Sequence, residues 1–322
     1  MCSSPPLPRL DALDEEHDCG KRPGRAPSLR IAFFGLPLAA LLLARDGHSI
    51  VYAAACRAAP GFRRLRSRVA PGRTTLRPDV NDSGVVDAVR AASPELIVSW
   101  FWTTRLPESI LATAPGVGVH PSLLPRHRGP DPYFWAIDSG DKTTGVTAHR
   151  LDRAYDTGAV LGQRVVDLDP GWDAWRLARA LDRPSLALLR EVAREYAEGR
   201  APVATPQDEG AATAAPEPSD DDLAIRWSWS ASRIERRVLA AAPWPGAWTE
   251  IGSQIVTLLR VRATGEFPRA LAPAEAAVRD DGVAVVRAGS GAVELLAGRS
   301  EDDETALSQQ ELARLVAGSR LP

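Results

Sequence analysis

Short apolar runs alternating with helical stretches mark the first half of the chain. Residues 29–35 form an apolar run closed by Gly35, residues 38–44 follow as a short helix, and residues 49–53 read as a second strand. Strand, glycine turn, helix and strand in this order open a doubly wound α/β sheet. Residues 85–92 are predicted helical. Residues 96–102, the most apolar run of this half, are predicted to be a central strand covered on both faces, with the indoles of Trp100 and Trp102 on one side because side chains alternate. Residues 116–119, 144–151 and 159–168 give further strands, residues 133–139 a helix, and residues 175–198 a long amphipathic helix containing Pro184. Periodicity then stops: residues 201–222 are rich in Ala, Pro, Asp and Glu, the composition of a linker. Beyond it Ser230 can cap a helix that ends before Pro243. Four strand-like runs follow, at 247–250, 255–261, 283–287 and 292–297, and Ser308 and Glu311 have capping-box spacing for a last helix. The pattern predicts a tail over 1–28, an α/β domain over 29–205, a linker over 206–222 and a small, mainly β, barrel-like domain over 223–322.

Composition narrows this picture. With 322 residues and 44% hydrophobic content, two cores are affordable, and residues 1–28 lack the apolar period needed to join either. Lys+Arg 39 against Asp+Glu 41 gives a net charge of -2, which supplies no global pull toward nucleic acid or an anionic membrane. Seven arginines between Arg57 and Arg77 are the local exception, read as a solvated loop. Cys2, Cys19 and Cys56 have neither disulfide parity nor metal-ligand spacing, so a reducing, cytoplasmic setting without a structural metal is expected. No uncharged apolar run reaches the ~20 residues of a membrane span, and the first residues carry no apolar core of a signal peptide.

Candidate chemistry concentrates between Val117 and Gly129, where His120 follows a short strand and enters a proline-fenced loop. A histidine takes and gives protons near neutral pH, so one on a stiff turn is a candidate general base; alone, such a histidine is more often a packed residue than a catalyst. Thr103, Thr104, Arg105 and Leu106 follow the preceding strand, and two adjacent strand ends would face one crevice. The second domain contains no histidine, which assigns histidine chemistry to the first.

The ordered motifs His120-Pro121-Ser122-Leu123-Leu124-Pro125, Arg128-Gly129, Gly140-Asp141, Thr144-Gly145-Val146-Thr147 and Asp156-Thr157-Gly158 closely resemble the folate-dependent formyltransferases. Thr205-Pro206-Gln207-Asp208 and the stretch from Pro243 to Thr249 look like the methionyl-tRNA formyltransferase branch. The resemblance implies a Rossmann-like catalytic domain and transfer of a formyl group from 10-formyltetrahydrofolate to an amine. It implies catalytic roles for His120 and Asp156, with the pterin against Trp102, Thr103, Thr104 and Leu106 and against the loop carrying Asp152 and Tyr155. Ser122 and Arg128 would support the loop.

One position departs from that pattern. The family has Asn two residues before the histidine, where this chain has Gly118, and its sole asparagine is Asn81. Losing such an oxyanion donor costs on the order of 10²–10³ in kcat. Three outcomes stay open: a slower formyltransferase, a different acyl or one-carbon donor or bulkier acceptor, and a folate-binding protein without turnover. The departure favours a small-molecule amine over tRNA as acceptor.

Overall fold

The computed structural model describes residues 27–200, 202–302, 304–317 and 321. The tail expected over 1–28 lies, up to residue 26, outside the described residues. The first domain runs β1 (Arg30–Gly35), α1 (Pro37–Arg45), β2 (Ser49–Ala55), α2 (Phe62–Arg66), β3 (Thr74–Leu76), α3 (Ser83–Ala92), β4 (Leu96–Trp100), α4 (Glu108–Leu111), β5 (Gly116–His120), α5 (Pro132–Asp138), β6 (Thr143–Arg150), β7 (Val160–Asp167) and α6 (Ala174–Ala197). Its seven-stranded sheet has the order β3-β2-β1-β4-β5-β6-β7, with β1 to β5 parallel and β6 and β7 antiparallel.

Alternation along the central strands builds both faces of this sheet. Ile31, Phe33, Leu96, Val98 and Trp100 join α1 and α6 in one core, while Ala32, Phe34 and Ile97 meet Val86, Val89 and Ile110 from α3 and α4 in the other. Such two-sided burial is the reason these strands read as continuous apolar runs. Pro184 stays inside α6, and the adjacent Ser185 hydroxyl accepts a 2.7 Å hydrogen bond from Trp100 Nε1.

Two expectations need correction here. Trp100 and Trp102 do not share a face: β4 ends at Trp100, Phe101 takes a left-handed φ of 54°, and the reversal sends Trp102 to the opposite core, edge-on to Phe34. The arginine-rich stretch is not a plain loop. It contains α2, whose Leu65 is buried among otherwise exposed arginines, and the edge strand β3.

The segment expected as a linker packs closely. It holds a 3₁₀ turn (Glu209–Ala211) and α7 (Asp220–Leu223), and it pairs with the loop after β5 through Arg128 and Ala214. Gly129, at φ 128°, passes so close that a Cβ there would stand 2.6 Å from the Ala215 carbonyl oxygen. After it come α8 (Ala231–Ala241), β8 (Ala247–Ile251), β9 (Gln254–Thr264), β10 (Ala276–Val278), β11 (Ala284–Arg287), β12 (Ala292–Ser300), β13 (Ala306–Ser308) and α9 (Gln309–Val316). The six strands form an antiparallel sheet ordered β10-β11-β12-β9-β8, with β13 on β12. β10 and β13, three residues each, are too short to carry a period and escape the sequence pattern. Among the described residues, no helix is long and apolar enough to cross a membrane.

The domains share one apolar cluster, which continues from Phe134 and Ile137 of α5 into Ile234, Val238 and the second sheet. Inside it Arg237 forks onto Asp138 with 2.7 and 2.9 Å hydrogen bonds, both residues almost fully buried. A buried pair is costly to break on one side, since the remaining charge loses its close partner; Asp138 would keep only Arg233, 3.9 Å away. Arg237→Met is expected to destabilise the protein by about 3–5 kcal/mol, measured by urea unfolding. Adding Asp138→Ala should recover most of that loss, and a double variant as weak as the single one would contradict this account.

Candidate active site

The carboxyl ends of β4 and β5 open into a cavity of about 390 Å³. Of the residues singled out from sequence, Trp102, Thr103, Thr104, Leu106, Gly118, His120, Asp152, Tyr155 and Asp156 line it, whereas Ser122 and Arg128 lie behind its wall. Sequence reading missed Tyr133, Leu151 and His149, which also line it. His149 carried no local signal. Its place at the site depends on the antiparallel β5/β6 register that sets it opposite Gly118.

His120 is 7% exposed and held by the loop that follows it. Its Nε2 lies 2.7 Å from the His127 carbonyl oxygen, which can only accept, so Nε2 carries the proton and Nδ1 is the basic nitrogen. Nδ1 stands 3.4 Å from Asp156 Oδ2. The same Oδ2 accepts a 3.0 Å hydrogen bond from the Gly129 N–H, and Oδ1 lies 3.5 Å from His149 Nε2. One carboxylate therefore sits between two imidazoles.

Each part of this arrangement is braced. Ser122 Oγ donates to the Arg126 carbonyl at 2.7 Å, and Thr147 Oγ1 donates to the Ser122 carbonyl while accepting from Leu124 N–H and Gln163 Nε2. Asp156 holds a left-handed φ of 56°, a conformation Asp tolerates better than most residues. Gln207 Nε2 secures that turn by donating 2.7 Å hydrogen bonds to the carbonyls of Asp156 and Gly158. Arg128 in turn donates to Gln207 Oε1 and pairs with Glu209. Thus Arg128 acts on Asp156 through the interdomain segment.

The cavity walls suit a flat heteroaromatic ligand. Phe101, Trp102, Leu106, Leu111 and Leu151 supply apolar surface, and Trp102 Nε1 and the Tyr133 hydroxyl are buried polar atoms without a protein partner. Buried polar groups are seldom left unpaired, and both of these belong to residues that line the cavity. Burial, reinforced by Asp182 and Asp131, pushes the Tyr133 phenol far above its ordinary range and keeps it neutral.

Gly118 has little spare room. A Cβ there would stand 2.9 Å from Leu151 Cδ2 and 3.1 Å from His149 Nε2. Any side chain at 118 competes with His149 for the same space.

The α/β sheet thus opens its strand ends on this histidine and carboxylate and is followed by a small β domain. Residues 57–192 match the formyl transferase family and residues 219–314 match the formyl transferase C-terminal domain. The chain belongs to this family, whose members transfer one-carbon groups and use 10-formyltetrahydrofolate. It is 33% identical over 291 residues to methionyl-tRNA formyltransferase of Chloroflexus aggregans, covering 83% of this chain and 91% of that protein. It is likewise 33% identical over 254 residues to the Anaeromyxobacter dehalogenans enzyme of that name, covering 74% and 81%. In fold it is similar to HypX from Aquifex aeolicus in complex with tetrahydrofolic acid (TM-score 0.61, 21% identity), covering 88% of this chain and 46% of that one. It thus spans about half of HypX. The N-formyltransferase from Helicobacter canadensis in complex with folinic acid and dTDP-3-aminofucose is also similar (TM-score 0.60, 11% identity), with 83% and 98% covered.

Burial lowers the basicity of His149 in the site, of His127 in the loop after β5, and of His48 just before β2, below the ordinary histidine value of 6.5. Partner carboxylates, Asp156, Asp141 and Asp46 respectively, only partly offset this. The unfolded chain binds protons at these positions more readily than the folded one. Stability should therefore be fully present above about pH 6.5 and be lost as pH falls from there toward the lowered folded values. Thermal unfolding between pH 8 and 5 checks this, and a flat profile would contradict it.

Proposed function

We propose that this chain transfers the formyl group of 10-formyltetrahydrofolate to the primary amine of a small-molecule acceptor, with His120 and Asp156 as the catalytic pair. The observation that carries the reading is the placement of His120 Nδ1 3.4 Å from Asp156 Oδ2 at a cavity with unpaired donors. The attacking amine must lose a proton and the departing folate nitrogen must gain one. His120 Nδ1 serves both needs, while ionised Asp156 stabilises the imidazolium. Trp102, Thr103, Thr104, Leu106, Asp152 and Tyr155 are assigned to the pterin end, and the backbone and protonated His120 to the developing oxyanion. The Tyr155 hydroxyl, which accepts from the Arg105 N–H at 3.1 Å, ties the two walls together.

A second acceptor, methionyl-tRNA, is favoured by the named relatives and by the arginines of residues 57–77. None of those seven makes an ion pair among the described residues. Arg57 and Arg77 bear on Cys56, whose thiol donates to the carbonyl of cavity-lining Phe101.

Release of tetrahydrofolate with a panel of amines and with methionyl-tRNA tests both readings. Turnover with a small amine should change little with salt, whereas a tRNA acceptor would lose affinity steeply. His120→Ala should lower kcat by about 10²–10⁴ with folate binding kept. If no acceptor supports release and His120→Ala binds folate like the wild type, the catalytic reading is lost and a folate-binding role remains.

A further inference from the structure

A neutral imidazole has one ring proton, and the surroundings of His120 offer it two acceptors. The His127 carbonyl oxygen lies 2.7 Å from Nε2, and Asp156 Oδ2 lies 3.4 Å from Nδ1. Only where the carbonyl holds the proton is Nδ1 left bare to act as a base. With the carbonyl turned aside, the proton belongs on Nδ1, because the charged carboxylate is the stronger acceptor. The aim of one backbone carbonyl therefore decides whether the resting site holds a base.

That carbonyl belongs to a residue in an unfavourable conformation. His127 has a left-handed φ of 58°, which persists only where the surroundings hold it. Three hydrogen bonds do so. His127 Nε2 lies 2.7 Å from Asp141 Oδ2 in the turn between α5 and β6, and Asp141 Oδ1 accepts from Arg126 at 2.7 Å. The His127 N–H donates to Thr213 Oγ1 at 2.8 Å. The Arg128 N–H, in the same peptide group as the carbonyl, donates to the Thr213 carbonyl oxygen at 2.8 Å. Burial favours the neutral ring of His127, and the nearby Arg126 and His120 add to that against Asp141. Its one ring proton goes to Asp141, which can only accept. Nδ1 is then bare, buried and without a protein partner, beside a second cavity of about 160 Å³ that Lys142 also lines. An apolar ring would fill this place without that cost, so the contact with Asp141 is what the imidazole adds.

We propose that His127 is a positioning residue of the transfer reaction: gripped by Asp141 and Thr213, it aims its carbonyl at His120 Nε2 and so keeps His120 Nδ1 free to take the amine's proton. Its ring lines the second cavity and not the catalytic one, so it acts through His120 alone. The grip makes the basicity of one nitrogen depend on two other pieces of chain, 14 and 86 residues further on. One is the turn after α5, and the other is the segment between the domains. Neither supplies a wall to the catalytic cavity. Loosening the grip therefore removes the base and leaves the folate surface as it was.

This inference rests on the formyl-transfer reading, and its first readout is independent of turnover. In protein labelled with ¹⁵N-histidine, the neutral form of His120 should show a protonated Nε2 and a bare Nδ1. Asp141→Ala combined with Thr213→Val should move the proton to Nδ1 in a large share of the molecules. Thr213→Ser keeps the hydroxyl and should leave the wild-type pattern. With a working acceptor, the double variant should lose about tenfold or more in kcat, while KM for 10-formyltetrahydrofolate stays within about twofold, because the lost group orients a proton acceptor and binds no substrate. Asp141→Ala alone should show the same shift in a smaller share, and it serves where the double variant does not fold. A wild-type His120 protonated on Nδ1, an unmoved tautomer in the folded variant, or a moved tautomer with unchanged kcat would overturn the role of His127. A moved tautomer in a protein whose wild type turns over no amine would remove the function proposed above and leave the hold of His127 on His120 standing.

Discussion

The carboxylate of Asp156 is the constraint around which the site is built. It stands between two imidazoles, and that place lies on a turn with an unfavourable left-handed backbone. Gln207 compensates by binding the carbonyls on either side of the turn, and Gly129 adds an N–H to the carboxylate itself. Since Gln207 is gripped by Arg128, the histidine loop and the aspartate loop are tied together by a third piece of chain. Preorganisation at this level keeps the reacting groups from searching for one another once substrate arrives.

Much of the frame was legible because burial on both faces of a parallel sheet leaves continuous apolar runs, as in residues 29–35 and 96–100. Alternation failed just past the end of β4. Extending the strand by two residues put Trp102 beside Trp100, and the positive φ of Phe101 reverses that assignment. Nothing in the residue type of Phe101 announces such a turn, which is held by neighbours brought in from β1 and β2, including the Cys56 thiol on its carbonyl.

The site was legible as His120 and Asp156 and illegible as a cluster. A histidine inside a predicted strand carries no sign of which chain lies opposite, and the antiparallel pairing of β5 with β6 is a property of the folded sheet. Gly118 looked like a lack: a position from which a helpful amide had gone. With the sheet assembled, a Cβ there would press on Leu151 Cδ2 at 2.9 Å and on His149 Nε2 at 3.1 Å. The interdomain segment was misjudged for a related reason. Its Ala, Pro and acidic residues have no period because it makes single contacts to a surface of the first domain, one residue at a time, through Gln207, Glu209 and Ala215.

The buried fork between Arg237 and Asp138 bears on how such a protein can be divided. Asp138 ends the helix that begins just after the histidine loop, and its counter-charge comes from the other domain. A catalytic half cut free of its partner would carry an orphaned anion in what had been its dry interface, at the far end of the helix whose start touches the active site. Shuffling of this second domain onto another catalytic domain would thus have to move the aspartate with it. The two halves are modules in outline and a single inheritable unit in charge.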